Sequence, residues 1–319
     1  MNKQTCVGVD VAKRSLDVAL IGEKKAFKKS FDNTKAGHRA LLRWCQSKAN
    51  SPLFVGMEAT GRYGESLADY LHAQSIKVSV INPLQVKLYA KLRFARNKND
   101  ALDSEIIAHY LESFEPRAFQ PRTTAQKALK ELVQLRESLI AQKVTLMQQH
   151  AEQATSLARR ETQTQINKLE RSVLRLEKQL QELVEDSPEE KARFERLLSV
   201  PGIGKISAYL LLAYLPDLRD FKHAKQLGAY AGLSPRQRQS GQYQGRTRLS
   251  KLGHQRLRKA LYMPAIAAKR SSEALRPFVE RLEQSGLSPK AIVGAVMRKL
   301  LHLIFGMMKR EEMFNPQLV

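Results

Sequence analysis

The sequence predicts an α/β domain built on a mixed sheet, followed by mainly helical segments. Three observations predict it. The first 120 residues alternate short β-branched runs with amphipathic ones. Residues 124–186 are almost free of Gly and Pro and carry a heptad stripe. The remainder returns to helical periodicity, interrupted by one polar segment with several glycines. The division that follows is 1–120, 121–187 and 188–319, within the usual ~100–200 residues per domain.

Residues 5–12 and 16–22 are rich in β-branched side chains, and 25–32 alternates apolar and polar, so three successive strands are expected. Asn33 offers an N-cap to a helix with Ala40, Leu41, Leu42 and Trp44 on its apolar face, running to about Ser47. Leu53 to Met57 reads as a strand, 65–74 as a helix, Val78 to Ile81 as a strand stopped by Asn82-Pro83, and 84–95 as a helix. A last helix runs from about Asn99 to Glu112. Three strands, helix, strand, helix, strand, helix is the element order of a ribonuclease-H-like domain.

Pro116 and Pro121 mark a linker. Beyond it, Ile166, Leu169, Val173, Leu176, Leu180 and Leu183 are separated by 3, 4, 3, 4 and 3, a coiled-coil seam. Leu132, Leu135, Leu139 and Leu146 form an earlier stripe, with Gln142, Gln149 and Gln153 at its later seam positions. A heptad does not name its partner, so this segment is either an intramolecular helical hairpin or an oligomerisation arm. Ser187-Pro188 opens another helix, Pro201-Gly202-Ile203-Gly204 turns into the next, and 232–250 reads as a loop or ribbon.

Lys plus Arg number 54 against 31 Asp plus Glu, a net charge of +23. Such an excess points to a polyanionic partner, because each phosphate neutralised releases condensed counterions. Cys6 and Cys45 are too few for a disulfide framework or a zinc site, which suits a reducing cytoplasm. The N-terminal residues lack a signal-peptide pattern and no uninterrupted run of about 18 apolar residues occurs, so neither secretion nor a membrane partner is expected.

Asp10 stands between Val9 and Val11 in an apolar strand, where a carboxylate needs something positive to satisfy it. Glu58 ends the fourth strand, a neighbour of the first in this fold, and Asp100 and Asp103 share a helix face at i, i+3. Four hard oxygen ligands of this kind suit Mg²⁺ or Mn²⁺ and phosphodiester chemistry. Asp100 and Asp103 taken alone read better as an N-cap and a first-turn acid than as ligands. Asp17, on the second strand, is set aside as one strand too far from the site.

Gly202, Gly204 and Lys205 sit in a turn that resembles a helix-hairpin-helix element, whose amides and following helix N-terminus hold a phosphate; the alternative is an ordinary interhelical turn. From Arg219 to Arg276 there are 14 Lys or Arg against Asp220 and Glu273. Here Arg236, Arg238, Arg246, Arg248, Lys251, Arg256, Arg258 and Lys259 are expected to meet nucleic acid, with Tyr230, Tyr243 and Tyr262 interleaved as stacking candidates or core residues. Ser240-Gly241 lies among these arginines, which would activate a hydroxyl, but serine beside glycine is usually a turn, and Ser234 and Ser250 compete on equal terms.

These motifs together resemble the DEDD transposases of bacterial insertion sequences of family one hundred and ten, which include the pilin-gene invertases. The likeness covers nearly the whole chain. It rests on Gly8 to Lys13, Glu58-Ala59-Thr60-Gly61 with Tyr63, Asn99 to Asp103, Pro201 to Gly204, Ala231 to Pro235, Ser240-Gly241, and Ser250 to Gly253 followed by Leu257 to Leu261. Asn99 stands where that family often has Thr, and Ser104 where Ala often follows the last Asp. The resemblance implies a resolvase-type ribonuclease-H fold carrying Asp10, Glu58, Asp100 and Asp103, and a transposase domain with Ser240 as nucleophile. It also implies a structured bridge RNA pairing with donor and target double-stranded DNA, and a dimer-to-tetramer assembly to which the coil would contribute. Two rival readings remain at this stage. One is a metal-dependent, structure-selective nuclease in which water attacks, and the other a non-enzymatic RNA- or DNA-binding architectural protein.

Overall fold

The structure is a computed structural model that describes residues 4–22, 25–59, 61, 63–93, 100–236, 239–240, 243–244 and 247–318. The chain divides into two compact units, residues 1–121 and 122–319.

The first unit contains a five-stranded mixed sheet. Its strands are β1 (Thr5–Val11), β2 (Ser15–Ile21), β3 (Ala26–Asp32), β4 (Leu53–Glu58) and β5 (Lys77–Ile81), in the order β3-β2-β1-β4-β5. The first three form an antiparallel meander, and β4 and β5 extend it in parallel from β1. Helices α1 (Lys35–Lys48) and α2 (Glu65–Ala73) cover one face; α3 (Pro83–Leu92) and α4 (Asp100–Phe114) cover the other. Period-2 alternation sorts the strands between them. Val7, Val9, Leu16, Val18, Leu20, Val55 and Met57 pack with Leu41, Cys45, Leu67 and Leu71 on the α1 side. Cys6, Phe54 and Ile81 pack with Ile107 and Leu111 on the α4 side. The N-cap of α1 is Thr34, one residue past the expected Asn33: its side chain accepts from the Gly37 N–H at 3.1 Å.

The second unit starts with a helical hairpin of α5 (Thr124–Glu152) and α6 (Ser156–Glu185). The expected seam on α6 buries Ile166, Val173, Leu176 and Leu180 against α5 in the same chain. On α5 the phase differs from the expected stripe, because Leu129 and Val133 face inward and Leu135 is 48% exposed. Arg136 clamps the pair by donating from Nε (2.8 Å) and Nη2 (2.6 Å) to Glu177. The base of the hairpin joins a core formed by α7 (Pro188–Ser199), α8 (Lys205–Tyr214), α9 (Ala224–Tyr230), α10 (Gln255–Ala260), α11 (Tyr262–Ser271), α12 (Arg276–Gln284) and α13 (Pro289–Arg310). By length and composition α13 is apolar enough to cross a membrane. It carries Arg298, Lys299 and His302, however, and buries Ile292, Val296, Leu300, Leu301 and Ile304 as a core helix. Between α9 and α10 lies a ribbon of two-residue strands: β6 (Pro235–Arg236) pairs with β9 (Arg248–Leu249), and β7 (Gln239–Ser240) with β8 (Tyr243–Gln244).

Candidate active site and nucleic-acid surface

The parallel register sets Thr5 level with Leu53 and Val9 level with Met57; the residues that follow are Asp10, one before the end of β1, and Glu58, the end of β4. Alternation puts both on the face of Cys6, Gly8, Phe54 and Gly56, the face that α4 covers. Helix α4 lies against bare backbone there. A Cβ on Gly8 would fall 1.9 Å from the Ser104 carbonyl oxygen and 2.5 Å from the Ala108 nitrogen, and one on Gly56 2.8 Å from Leu111 Cδ1. The approach brings the first turns of α4 to the strands that carry Asp10 and Glu58. Asp103 sits there beside buried Ser104, and Asp100 opens the helix at i, i+3 from it. Asp10, Glu58 and Asp103 are half-buried. The side chain of Asp100, and the whole of Asn99 and Thr60, lie outside the described residues.

Among the described residues no three His, Cys, Asp or Glu side chains close around one point. The donor chemistry at this sheet end is nonetheless all carboxylate, which fits a hard divalent cation such as Mg²⁺. Asp17 needs a correction. It is the direct antiparallel partner of Asp10, and opposed residues of such a pair share a face. Its carboxylate accepts from the Ser30 hydroxyl on β3. Strand count alone placed it too far away, whereas register makes it the cross-strand neighbour of Asp10.

Asn33 is the residue that sequence reasoning misread. Its Nδ2 donates to the Ala12 carbonyl (3.0 Å) and the Tyr63 carbonyl (3.1 Å), while His38 Nε2 donates to its Oδ1 (2.9 Å). One side-chain amide thus ties the loop after Asp10 to the turn after Glu58. Burial holds the His38 pKa below its usual value, so the ring stays neutral while making this bond.

In the second unit, Gly202 has φ +83°, and a Cβ there would fall 2.4 Å from the Pro264 carbonyl oxygen and 2.7 Å from the Ala268 nitrogen. Its glycine is therefore required for packing on α11. Gly204 and Lys205, which begin α8, are exposed, and nothing lies within 4 Å of a Cβ at Gly204.

The ribbon is clasped at its base. Lys251 N–H donates to Gly232 O (3.1 Å), Ser250 N–H to Ser234 O (2.9 Å) and His254 N–H to Tyr230 O (2.7 Å). Gly232 (φ +71°) and Gly253 (φ +148°) let the two legs close, since a Cβ on Gly253 would fall 2.3 Å from Tyr230 O. Arg258, expected on nucleic acid, turns inward and donates from Nη1 to the Ala231 carbonyl at 2.9 Å. Ser234 and Ser250 both belong to this base, and Ser240 stands beside the tip, opposite Tyr243. The side chains of Ser240 and Tyr243, together with Arg238, Gly241 and Arg246, lie outside the described residues. Arg236 and Arg248 are exposed and directly opposed in register. Like charges across a ladder repel unless an anion lies between them.

Lys251, Arg256 and Lys259 are exposed on the segment that follows. Arg256 Nη1 lies 3.3 Å from the Tyr214 hydroxyl, which itself donates to the Glu137 carboxylate. Burial foremost, then Glu137, pushes the Tyr214 pKa up to about 12. His254 caps α10 by accepting the Leu257 N–H on Nδ1 (3.1 Å) and stacks on Tyr230. Burial and the cations Arg122, Arg256, Lys130 and Arg258 hold its pKa down, which suits the acceptor role.

A transposase family model of the DEDD IS110 type matches residues 7–158, and the model for transposases of the IS116/IS110/IS902 family matches residues 194–280. The pilin gene-inverting protein of Moraxella bovis is 32% identical over 320 residues, covering 99% of both chains, and that of Moraxella lacunata is likewise 32% identical over 99% of both. The transposase for insertion sequence element IS1328 of Yersinia enterocolitica is 26% identical over 326 residues, covering 93% of this chain and 91% of that one. The chain therefore belongs to the IS110 family of transposases and is a DNA transposase/recombinase.

Proposed function

We propose that the protein is a bridge-RNA-guided recombinase that cuts and rejoins donor and target DNA through a covalent bond between Ser240 and a DNA phosphate. The observation that carries the reading is the parallel register of β1 and β4, which sets Val9, just before Asp10, level with Met57, just before Glu58. Asp10 and Glu58 lie on the face where α4 begins with Asp100 and Asp103. Those four residues would hold a divalent ion on a ribonuclease-H-like sheet. A bound Mg²⁺ or Mn²⁺ would neutralise charge developing on the scissile phosphate.

Asn33 holds the two carboxylate-bearing strand ends in fixed relation by bridging Ala12 and Tyr63. Arg236 and Arg248, with Arg238 and Arg246, would screen the phosphate that Ser240 attacks. In that step the serine oxygen bonds to phosphorus and one deoxyribose oxygen leaves with the serine proton. The number of phosphate ester bonds is unchanged, so the released hydroxyl can later reverse the attack on a new partner. Lys251, Arg256, Lys259, Gly204 and Lys205 would hold nucleic-acid backbone. The α5–α6 hairpin would assemble protomers into a dimer or tetramer in the bacterial cytoplasm.

The test is to incubate the full chain with its bridge RNA, Mg²⁺ and donor and target DNA, and resolve the products on a denaturing gel with mass spectrometry. A DNA adduct on Ser240, absent from Ser240→Ala, is expected. Cleaved DNA with free ends and no adduct would replace this reading with a hydrolytic nuclease.

A further inference from the structure

The charge excess is not confined to the second unit. Between residues 25 and 48 there are seven Lys or Arg and one acid, Asp32. Alternation along β3 divides them. Lys28 points to the α4 side, where it pairs with Glu105 at 2.6 Å, and Asp32, level with Ser15, shares that side. Lys25 and Lys29 point the other way, with Phe27 and Phe31, which pack on the α1-side core.

Three ammonium groups gather there on aromatic rings. Lys25 Nζ lies 5.3 Å and Lys48 Nζ 5.7 Å from the Phe27 ring centre, and Lys29 Nζ lies 5.3 Å from that of Phe31. Phe31 rests edge-on against Trp44 of α1 at 5.7 Å. Lys35, Arg39 and Arg43 recur every fourth residue along the exposed surface of the same helix. Among the described residues, the ion pair made by this stretch is that of Lys28, on the opposite face. Ring faces attract cations, but they do not neutralise mutual repulsion, so a cluster that makes no ion pair among the described residues is complementary to a polyanion.

We infer that the β3–α1 face is a second nucleic-acid surface, which grips the backbone of duplex DNA away from the bond being cut. The sheet separates it from Asp10 and Glu58, which lie on the α4 face. The phosphates held here therefore belong to flanking DNA and not to the scissile step. Duplex backbone is favoured over unpaired RNA because Phe27, Phe31 and Trp44 are half-buried beneath the lysines and present no open stacking platform. Lysine ammonium groups act as point charges toward phosphate and read no sequence. The inference rests on the family's action on DNA and is independent of Ser240.

The experiment measures binding of the full chain to a 30-base-pair duplex of arbitrary sequence by fluorescence anisotropy, over a series of KCl concentrations. Each phosphate contact contributes about 0.9 to the slope of log K against log salt. The triple variant Lys25→Gln, Lys29→Gln, Lys48→Gln should lower that slope by about 2 to 3, and Lys25→Arg, Lys29→Arg, Lys48→Arg should preserve it. If the glutamine triple variant does not fold, Lys35→Gln, Arg39→Gln, Arg43→Gln provides the same test at exposed helix positions. A slope unchanged in the folded glutamine variants overturns the inference, as does a change seen with a structured RNA hairpin and not with the duplex. Absence of a Ser240 adduct alongside the expected slopes would reject the proposed chemistry alone.

Discussion

Gly8→Ala is the substitution that most directly tests how α4 is held over the sheet. Replacing glycine within a strand by alanine would by itself stabilise the fold by about 0.5–1 kcal/mol, because the unfolded chain loses freedom. Here the sign should reverse. The added methyl would sit 1.9 Å from the Ser104 carbonyl oxygen and 2.5 Å from the Ala108 nitrogen, and both are backbone atoms that no rotamer change can move. Reaching ordinary contact near 3.5 Å requires α4 to retreat by about 1.5 Å. That retreat loosens Ile107 and Leu111, which are 0% and 1% exposed. Overpacking and lost contact together should cost about 3 kcal/mol, or roughly 10 °C in melting temperature for a unit of this size. Gly56→Ala meets only the movable Leu111 side chain at 2.8 Å and should cost about 1 kcal/mol. Trp44, the one tryptophan of the chain, lies in the first unit, so its fluorescence follows this transition without signal from the second. A Gly8→Ala protein that melts at or above the wild-type midpoint, or loses less than Gly56→Ala, would refute the reasoning.

Two further predictions separate packing from binding and set an alkaline limit. Gly202→Ala combines a left-handed φ with backbone at 2.4 Å and should lose several kcal/mol of stability, whereas Gly204→Ala should melt like wild type and change only DNA affinity. Circular-dichroism melts and a duplex-binding titration check both; a stable Gly202→Ala would contradict the packing role. Burial raises the Cys6 thiol from 9.0 to about 11 and the Cys45 thiol from 9.0 to about 12. The protonated thiols therefore stabilise the fold fully below pH 9, and this contribution fades as pH climbs through 11 toward 12. Midpoints read from Trp44 should fall less steeply above pH 9 in Cys45→Ala than in the parent, and equal slopes would contradict it.

Element order was legible because each strand and helix of the first unit carries its own period and is punctuated by Gly, Pro or Asn. Features decided by partners were not legible. Asn33 and Thr34 are both good caps, and tertiary acceptors at Ala12 and Tyr63 draw Asn33 away from the helix. On α5 the leucines allow two phases, and the core selects Leu129 and Val133. Asp17 depends on register, which no local pattern in the meander announces. Gly8 and Gly56 look like ordinary strand glycines until a helix is seen resting on them. The bond from Arg258 to the Ala231 carbonyl is likewise invisible to composition, which counts a guanidinium and not its partner.

The α5–α6 hairpin also separates kinship from foldability. The family match in the first half runs to residue 158, well past the compact unit that ends at Pro121 and only three residues into α6. A fragment cut there would keep α5 and discard nearly all of the helix that covers it, turning Leu129 and Val133 toward water. Chimeras between relatives joined at 158 would combine two half-seams that never co-evolved. Chimeras joined between Pro121 and Arg122 would exchange whole cores and leave both legs of the hairpin from one parent.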